Sequence, residues 1–232
     1  MATDEKQAEV VITKSSEERL VENTRHFWSK NSKFIVGGLA GLLLLIGGYL
    51  VYKNYFQAPA EAEANEAIWT AQLNYKNDSF RLALNGDGTK ANPGFLKVIN
   101  KHGGTKAGNL ARFYAGTCYL QLADFNNAIK YLEEFTTDQP EVALRATGSL
   151  GDAYAELGKN DKAAEEYKKA STIFEKDEMN SAEYVYRLAQ LYDKMGKNNE
   201  AIAAFRMLKE KYPQTPHARD ADKYLGKLGE VN

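Results

Sequence analysis

An apolar run extends from Phe34 to Tyr52 and contains no charged residue. As an α-helix its 19 residues would be about 28 Å long, close to the ~30 Å hydrocarbon thickness of a bilayer. Five glycines lie within the run. Because glycine weakens a helix in water but is common in membrane helices, a buried helix of a soluble core is a poor explanation. The run predicts a single transmembrane helix, which we assign to residues 34–56.

Two kinds of processed segment are alternatives to a permanent span. A cleaved signal peptide has an apolar core of about 7 to 15 residues after a short basic region, whereas here 33 residues precede a longer core. Ala58-Pro59-Ala60 resembles a cleavage site, but it lies beyond the aromatic residues Tyr55 and Phe56. A lipoprotein anchor needs a cysteine directly after the run, and the cysteine of this chain is Cys118. We therefore expect an uncleaved anchor.

The charges on either side of the run predict its orientation. After the run Lys53 stands alone until Lys76, whereas basic residues recur through the segment that leads up to the run, at Lys14, Arg19, Arg25, Lys30 and Lys33. Positive charge beside a span favours the cytoplasmic side of the membrane. Residues 1–33 are therefore predicted to form a cytoplasmic arm, and the C-terminal part is predicted to lie outside the cytoplasm.

The composition narrows the function of the C-terminal part. About 175 of the 232 residues follow the span, which is enough for one domain with its own core. The formal net charge of −1 provides no basic field for nucleic acid, so we expect no nucleic-acid partner. A single cysteine excludes an intramolecular disulfide and a zinc site built from cysteines.

Three segments of the C-terminal part share one pattern of residues. When Gly116, Gly151 and Ala189 are aligned, each copy has a tyrosine three residues later, an alanine twelve later and a large residue sixteen later. The residues are Tyr119, Tyr154 and Tyr192, then Ala128, Ala163 and Ala201, then Leu132, Tyr167 and Phe205. These spacings resemble the tetratricopeptide repeat, a helix–turn–helix unit of about 34 residues. The resemblance predicts three such repeats over residues 109–215.

The predicted fold is all-α, with an N-terminal single transmembrane helix followed by a tetratricopeptide-repeat α-solenoid. Residues 57–108 are expected to hold a linker helix and a degenerate first repeat, interrupted by a loop at Asn85–Asn92, which is rich in turn residues. A longer spacing between the second and third copies predicts extra residues in the connection near Lys176–Asn180. Residues 216–232 are expected to form a capping helix, because Pro216 precedes a helical stripe of apolar residues.

No set of residues in the sequence predicts catalysis or metal binding. The three histidines, His26, His102 and His217, lie in unrelated parts of the chain. Gly86-Asp87-Gly88 lacks the strand and helix that flank a phosphate-binding loop, so a turn is the simpler explanation. We expect a protein that is not an enzyme, with no cofactor, no metal and no small-molecule substrate.

Stacked helix pairs form a concave surface from the first helix of each repeat. The repeat frame predicts that this surface carries Leu110, Phe113, Thr117, Leu120, Gln121, Arg145, Asp152, Ala155, Glu156, Glu183, Tyr186, Gln190, Asp193 and Lys194. The set changes from apolar in the first copy to charged in the third. It is compatible with a groove for an extended client polypeptide and equally with the solvated face of a scaffold.

The N-terminal arm and the span carry two further candidate contact surfaces. Ser15 and Glu18 have the spacing of a capping box, and the helix that would follow has apolar residues on one side, among them Leu20, Thr24, Phe27 and Trp28. We expect this juxtamembrane helix to lie along the cytoplasmic membrane surface, as an anchor or as a contact for a membrane partner. Within the span, glycines recur near one face at Gly37, Gly41 and Gly48, a spacing that permits close packing against another membrane helix.

The arrangement of these segments is similar to that of a known family. The amphipathic stretch from Arg19 to Asn31, the glycine-rich span, the aromatic exit and the repeats resemble the YfgM-like family, ancillary subunits of the bacterial SecYEG translocon that work with the membrane-anchored chaperone PpiD. The resemblance implies a single-pass protein of the bacterial inner membrane with its C-terminal domain in the periplasm. It implies SecYEG and a PpiD-like chaperone as partners. A membrane-tethered scaffold for another cell-envelope machine is the alternative.

Overall fold

The computed structural model describes residues 16–230, and all the regular elements within that range are helical. Residues 1–15 of the predicted arm, with Ser15 of the capping box, and residues 231–232 lie outside the described residues. The chain divides into two compact units, one up to Phe56 and the other from Gln57 onward. The α-helices are α1 (Ser16–Tyr52), α2 (Ala58–Lys76), α3 (Phe80–Asn85), α4 (Phe95–His102), α5 (Lys106–Gln121), α6 (Phe125–Glu133), α7 (Pro140–Glu156), α8 (Asn160–Ile173), α9 (Glu178–Lys194), α10 (Asn198–Lys211) and α11 (Pro216–Lys227).

Helix α1 contains the whole apolar run and is followed by a π-helical turn at Lys53–Gln57. The most apolar stretch of this helical region has none of its residues buried, and among the described residues it is the one helix long and apolar enough to cross a membrane. We predicted that the juxtamembrane helix lies along the cytoplasmic membrane surface. In the structure these residues and the span belong to one helix, which continues through Lys33 without a break.

Three successive helix pairs form the repeats: α5 with α6, α7 with α8, and α9 with α10. The alanines that recur twelve residues after each small residue, Ala128, Ala163 and Ala201, are completely buried. The small residues themselves allow the two helices of a pair to approach closely. A Cβ atom added to Gly116 would lie 2.6 Å from Leu132, and one added to Gly151 would lie 2.7 Å from Tyr167. The pairing of a small residue with a large one sixteen positions later is therefore a contact between helices.

The turn between the two helices of a pair requires a left-handed backbone. Gly158 and Gly196 supply it in the second and third repeats with φ of +69° and +71°. The first repeat has Ala123 at the same place, with φ of +59°. Since a Cβ atom makes this conformation costly, the first turn is strained where the other two are not.

The prediction of a lengthened connection between the second and third repeats is wrong. Helix α8 ends at Ile173 and α9 begins at Glu178, so the connection is short. The additional residues extend the second helix of the repeat, because α8 has 14 residues where α6 has 9. Ala170 and Ser171 are buried in the added turn, and this burial stabilises a longer helix over a longer loop.

Helices α2 to α4 and the loop at 86–94 lie before the regular repeats. Phe95 and Val98 of α4 are buried together with Ala64, Ile68 and Ala71 of α2. At the other end, Thr215 accepts a hydrogen bond from the Ala218 amide and begins α11, whose residues Ala218, Ala221 and Leu225 are buried against the third repeat. The second unit thus has apolar helices at both ends of the repeats.

Candidate functional site

A cavity of about 420 Å³ is lined by residues of all three repeats, from α5 to α9. We call it the groove. Four of the residues predicted for the concave surface line it, and three residues that the sequence did not single out as binding residues complete it. They are Leu120, Asp152, Ala155 and Glu156 from the prediction, with Phe125, Tyr167 and Arg187 in addition. The groove combines an apolar part with charged and hydroxyl groups.

Arg187 is the charged centre of the groove. Its guanidinium donates to Asp152 on α7 and, through Nε, to Glu183 Oε1 at 2.6 Å on its own helix. The Tyr167 hydroxyl donates to the same Asp152 carboxylate, with an Oη–Oδ1 distance of 2.8 Å. These bonds join α7, α8 and α9, so the second and third repeats share one polar network.

The surroundings of this network shift the pKa values of Arg187 and Tyr167. Burial opposes the positive charge of Arg187, but the bonds to Asp152 and Glu183 outweigh it and raise the pKa of the guanidinium. Burial, followed by the charge of Asp152, raises the pKa of Tyr167 well above its usual range. Burial and the same charge raise the pKa of Tyr184 to about 12. At neutral pH the groove therefore presents the cation of Arg187 and the neutral phenol of Tyr167.

An aromatic cluster extends the groove towards α11. The Tyr186 ring stacks on His217 with 4.6 Å between the ring centroids, and its hydroxyl lies 2.7 Å from the Tyr224 hydroxyl. Gln190 donates to the same Tyr186 hydroxyl at 2.8 Å. His217 Nε2 lies 2.6 Å from Glu183 Oε2, which connects this cluster to the carboxylate that Arg187 binds. Four residues of the third repeat are thus held in place by contacts with one another or with α11: Glu183, Tyr186, Arg187 and Gln190.

The remaining predicted residues do not line the cavity. Thr117 is buried and donates its hydroxyl to the Tyr114 carbonyl. Phe113 packs against Phe135 at a centroid distance of 5.5 Å, and Leu110 packs against the cluster of α2 to α5. Asp193 is paired with Lys227 of α11 at 2.7 Å. The other three side chains are exposed: Gln121, Arg145 and Lys194.

Sequence reasoning missed the central residue of the groove, Arg187. One signal was available, because Glu183 and Arg187 are four residues apart and such a pair meets on a helix. Tyr167 was recognised only as the large residue of its repeat. Its ring does pack at Gly151, but its hydroxyl reaches across to Asp152, which the repeat frame does not reveal.

The candidate residues of α1 face open space in the structure. An added Cβ atom at Gly37, Gly41 or Gly48 would meet no atom within 4 Å. The juxtamembrane candidates Leu20, Phe27 and Trp28 are exposed, and the hydroxyl of Thr24 donates to the Leu20 carbonyl at 2.7 Å. Both surfaces stay predictions.

No group of three or more metal-binding side chains occurs among the described residues. Cys118 is completely buried, and this burial raises the pKa of its thiol to about 12. The thiol therefore stays protonated at neutral pH, which makes it a poor nucleophile.

Comparison with protein families now accounts for the helix pairs. Two models of the tetratricopeptide repeat match the chain, one over residues 109–178 and another over residues 183–215. Residues 109–178 and 183–215 of the second unit are therefore tetratricopeptide repeats. Searching the curated proteins gave no match. Tetratricopeptide repeats are as a rule non-enzymatic modules that bind other proteins, so residues 109–215 form an interaction scaffold. The predicted repeat spacing is confirmed by these matches and by the buried contacts of the paired helices.

Proposed function

We propose that this protein is a membrane-anchored scaffold whose groove binds an extended polypeptide, and that it serves as an accessory subunit of the bacterial Sec translocon. The observation that carries the proposal is the groove to which all three repeats contribute side chains. It offers hydrogen-bond donors, acceptors and apolar contact within one cavity, a combination that suits a polypeptide better than a purely apolar or purely charged ligand.

The groove side chains can each take a separate part of a bound chain. The guanidinium of Arg187 has donors for backbone carbonyls, whereas Glu156 is exposed and accepts from backbone amides. Leu120 and Phe125 provide apolar contact for a side chain between them. An extended polypeptide presents backbone carbonyls, backbone amides and side chains in turn along its length, as peptides do when they bind helical repeat surfaces.

The membrane part of the proposal rests on α1. Its length and composition allow it to cross a bilayer, and its apolar side chains, such as Phe34 and Leu44, have no protein to cover them in the described residues. The distribution of lysine and arginine around the span favours a cytoplasmic N-terminus. The repeats would then lie in the periplasm, where a PpiD-like chaperone or an emerging client is within reach.

A pull-down through a C-terminal tag tests the partners. Full-length protein extracted from bacterial membranes in mild detergent is expected to recover SecY and a PpiD-like chaperone. Glu156→Lys reverses a charge in the groove and should lose the chaperone or client, whereas Glu165→Lys on the exposed face of α8 should not. The double change Gly37→Leu and Gly41→Leu should lose SecY while keeping the groove partner. Recovery of another envelope machine without SecY or chaperone would replace the translocon proposal by the alternative scaffold.

Labelling from outside the cell tests the orientation. Lys168 is exposed on α8, and Cys118 is buried with a protonated thiol, so Lys168→Cys creates one reactive cysteine. A membrane-impermeant maleimide should label this variant in spheroplasts before lysis. Labelling only after lysis would place the repeats in the cytoplasm and exclude a periplasmic role.

A further inference from the structure

A second cavity, of about 590 Å³, lies outside the groove, in front of the regular repeats. One wall is α2 and the other is the segment from Lys90 to His102, which comprises the end of a loop and helix α4. We call it the front cavity. Its volume falls within the usual range of about 300 to 1,000 Å³ for ligand sites.

The loop wall of the front cavity is ordered by its own hydrogen bonds. Asp87 Oδ1 accepts from the Thr89 amide at 2.9 Å and from the Thr89 hydroxyl at 2.6 Å. The Asp87 amide donates to the Asn92 carbonyl at 3.2 Å, and the Asn92 side chain accepts from Asn74 of α2 at 3.2 Å. The loop is thus tied to itself and to the opposite wall.

Two glycines close the loop. Gly86 and Gly94 both have positive φ, and a Cβ atom on either would lie within 2.3 Å of a backbone atom on the other side of the loop. This close approach brings the two ends of the loop together and leaves Pro93 buried at the cavity wall. A wall held in this way loses little conformational entropy when a ligand binds.

The lining of the front cavity includes apolar side chains, and one of them is exposed to solvent. Ala67 and Val98 lie between the walls, and Trp69 is at the margin with 65% of its surface exposed. Indole rings are among the side chains that contribute most to binding energy at protein interfaces, so this position is notable.

Some of the charged side chains around the cavity form an ion pair, and others do not. Glu63 of α2 is bonded across the cavity to Lys101, and this bond lowers the pKa of the carboxyl group. Within residues 19–230, Lys90 and Lys97 form no ion pair, and Glu66 remains as the other carboxylate of the lining. After the Glu63–Lys101 pair is set aside, the lining of the cavity therefore has two lysines, Lys90 and Lys97, and one carboxylate, Glu66.

We propose that the front cavity binds a short acidic polypeptide segment that carries an aromatic or large aliphatic side chain. The apolar side chain would lie against Trp69 and Pro93, and an adjacent carboxylate would pair with Lys90 or Lys97. A polypeptide segment can place a carboxylate beside Lys90 or Lys97 and away from Glu66, whereas an anionic lipid surface is uniformly negative and would also face Glu66. The site is separate from the groove and does not depend on the function proposed for it.

The indole itself provides the measurement. The chain has two tryptophans, Trp28 and Trp69, so full-length Trp28→Phe protein in nanodiscs of neutral lipid leaves Trp69 as the sole indole. The probe is a capped peptide with the sequence Gly-Asp-Phe-Asp-Leu-Gly. It should shift the emission of Trp69 to shorter wavelength in a saturable way, with a Kd on the order of 100 μM. The same peptide with asparagine in place of both aspartates should bind at least about tenfold more weakly.

Two matched variants locate the effect. Lys97→Glu reverses a free charge at the cavity and should weaken the acidic peptide about tenfold. Lys168→Glu makes the same change on exposed α8 and should leave the affinity unchanged. Both lysines are exposed, and circular dichroism checks that each variant is folded.

Several results would overturn the proposal. These are no saturable shift, equal binding of the aspartate and asparagine peptides, or equal weakening by Lys97→Glu and Lys168→Glu. Nanodiscs that contain an anionic lipid test whether the cavity binds lipid headgroups instead of a polypeptide. If that lipid alone shifts the Trp69 emission and the peptide does not, the cavity recognises headgroups and the polypeptide proposal is wrong.

Discussion

The regular repeats and the front of the same unit bury their side chains by different means. The front consists of helices α2 to α4 and the loop at 86–94. In the repeats a small residue meets a large one sixteen positions later, as Gly151 meets Tyr167. At the front, the loop at 86–94 is closed by Gly86 and Gly94 and tied to α2 through Asn92. The comparison indicates that the repeats are packed by a contact that recurs in successive helix pairs, whereas the front adds one closed loop to the packing of α2 and α4.

The two regions also use their charges differently. In the groove, Arg187 is bound by Asp152 and Glu183, so a ligand must either share those bonds or replace them. In the front cavity, Lys90 and Lys97 have no such partner among the described residues. A charged ligand therefore gains a new ion pair at the front without breaking an existing one.

The largest effect is expected from a substitution that opens the loop at the front. Gly94→Ala places a Cβ atom 2.3 Å from the Gly86 amide nitrogen, at a φ of +75° that side chains avoid. Since both neighbours are backbone, the loop must open, and we expect a loss of about 3 kcal/mol in local stability. Hydrogen exchange should accelerate over residues 80–102 while residues 109–215 keep their protection.

Gly88→Ala is the control for the loop. Gly88 also has a positive φ, +86°, but nothing lies within 4 Å of an added Cβ atom. Only backbone strain should appear there, about 1 kcal/mol. Equal effects at Gly88 and Gly94, or exchange that accelerates uniformly through α5 to α10, would show that the front is not a separate cooperative region.

A smaller effect is expected from overpacking the repeats. Gly148→Ala places a Cβ atom 1.9 Å from the ring of buried Tyr184 and pushes α7 away from α9. We expect a loss of about 2 kcal/mol in the free energy of unfolding, measured by urea titration of the full chain in detergent. Gly226→Ala in α11 meets no atom within 4 Å and should be neutral or slightly stabilising. A larger loss at Gly226 than at Gly148 would contradict the steric argument.

The charge network of the groove comes next. Arg187→Gln leaves the carboxylates of Asp152 and Glu183 without their cation. Because the arginine side chain is 38% exposed, solvent screening reduces the loss to about 1 to 1.5 kcal/mol. Asp152→Asn in the same background should cost less than it does alone, and Arg219→Gln on the exposed side of α11 is the control. Fully additive losses would mean that Arg187 and Asp152 do not interact in solution.

The smallest effect concerns the turns within the repeats. Ala123→Gly relieves a φ of +59° and should stabilise the protein by about 0.5 to 1 kcal/mol, whereas Gly158→Ala should destabilise it by a similar amount. Thermal unfolding of the two variants beside the parent measures both changes. Opposite signs are required, and a destabilising Ala123→Gly would show that entropy outweighs strain at this turn.

Much of the helical framework could be predicted because its signals are local. An uncharged apolar run predicts a long helix, and a small residue, a tyrosine and an alanine at fixed spacing predict a helix pair. The length of α8 could not be predicted in this way. The residues beyond Ala170 suit either a helix or a loop, and their burial decides between the two.

The sequence by itself determined the helix pairs of the repeats, the segment that is apolar enough for a membrane, and the small residues Gly116 and Gly151 that admit a neighbouring helix. Only the tertiary structure decided which side chains meet across helices. It placed Arg187 between Asp152 and Glu183, and it formed the front cavity between α2 and α4. The physical reason is range: helix formation depends on residues three or four apart, whereas a groove or cavity joins side chains separated by tens of residues.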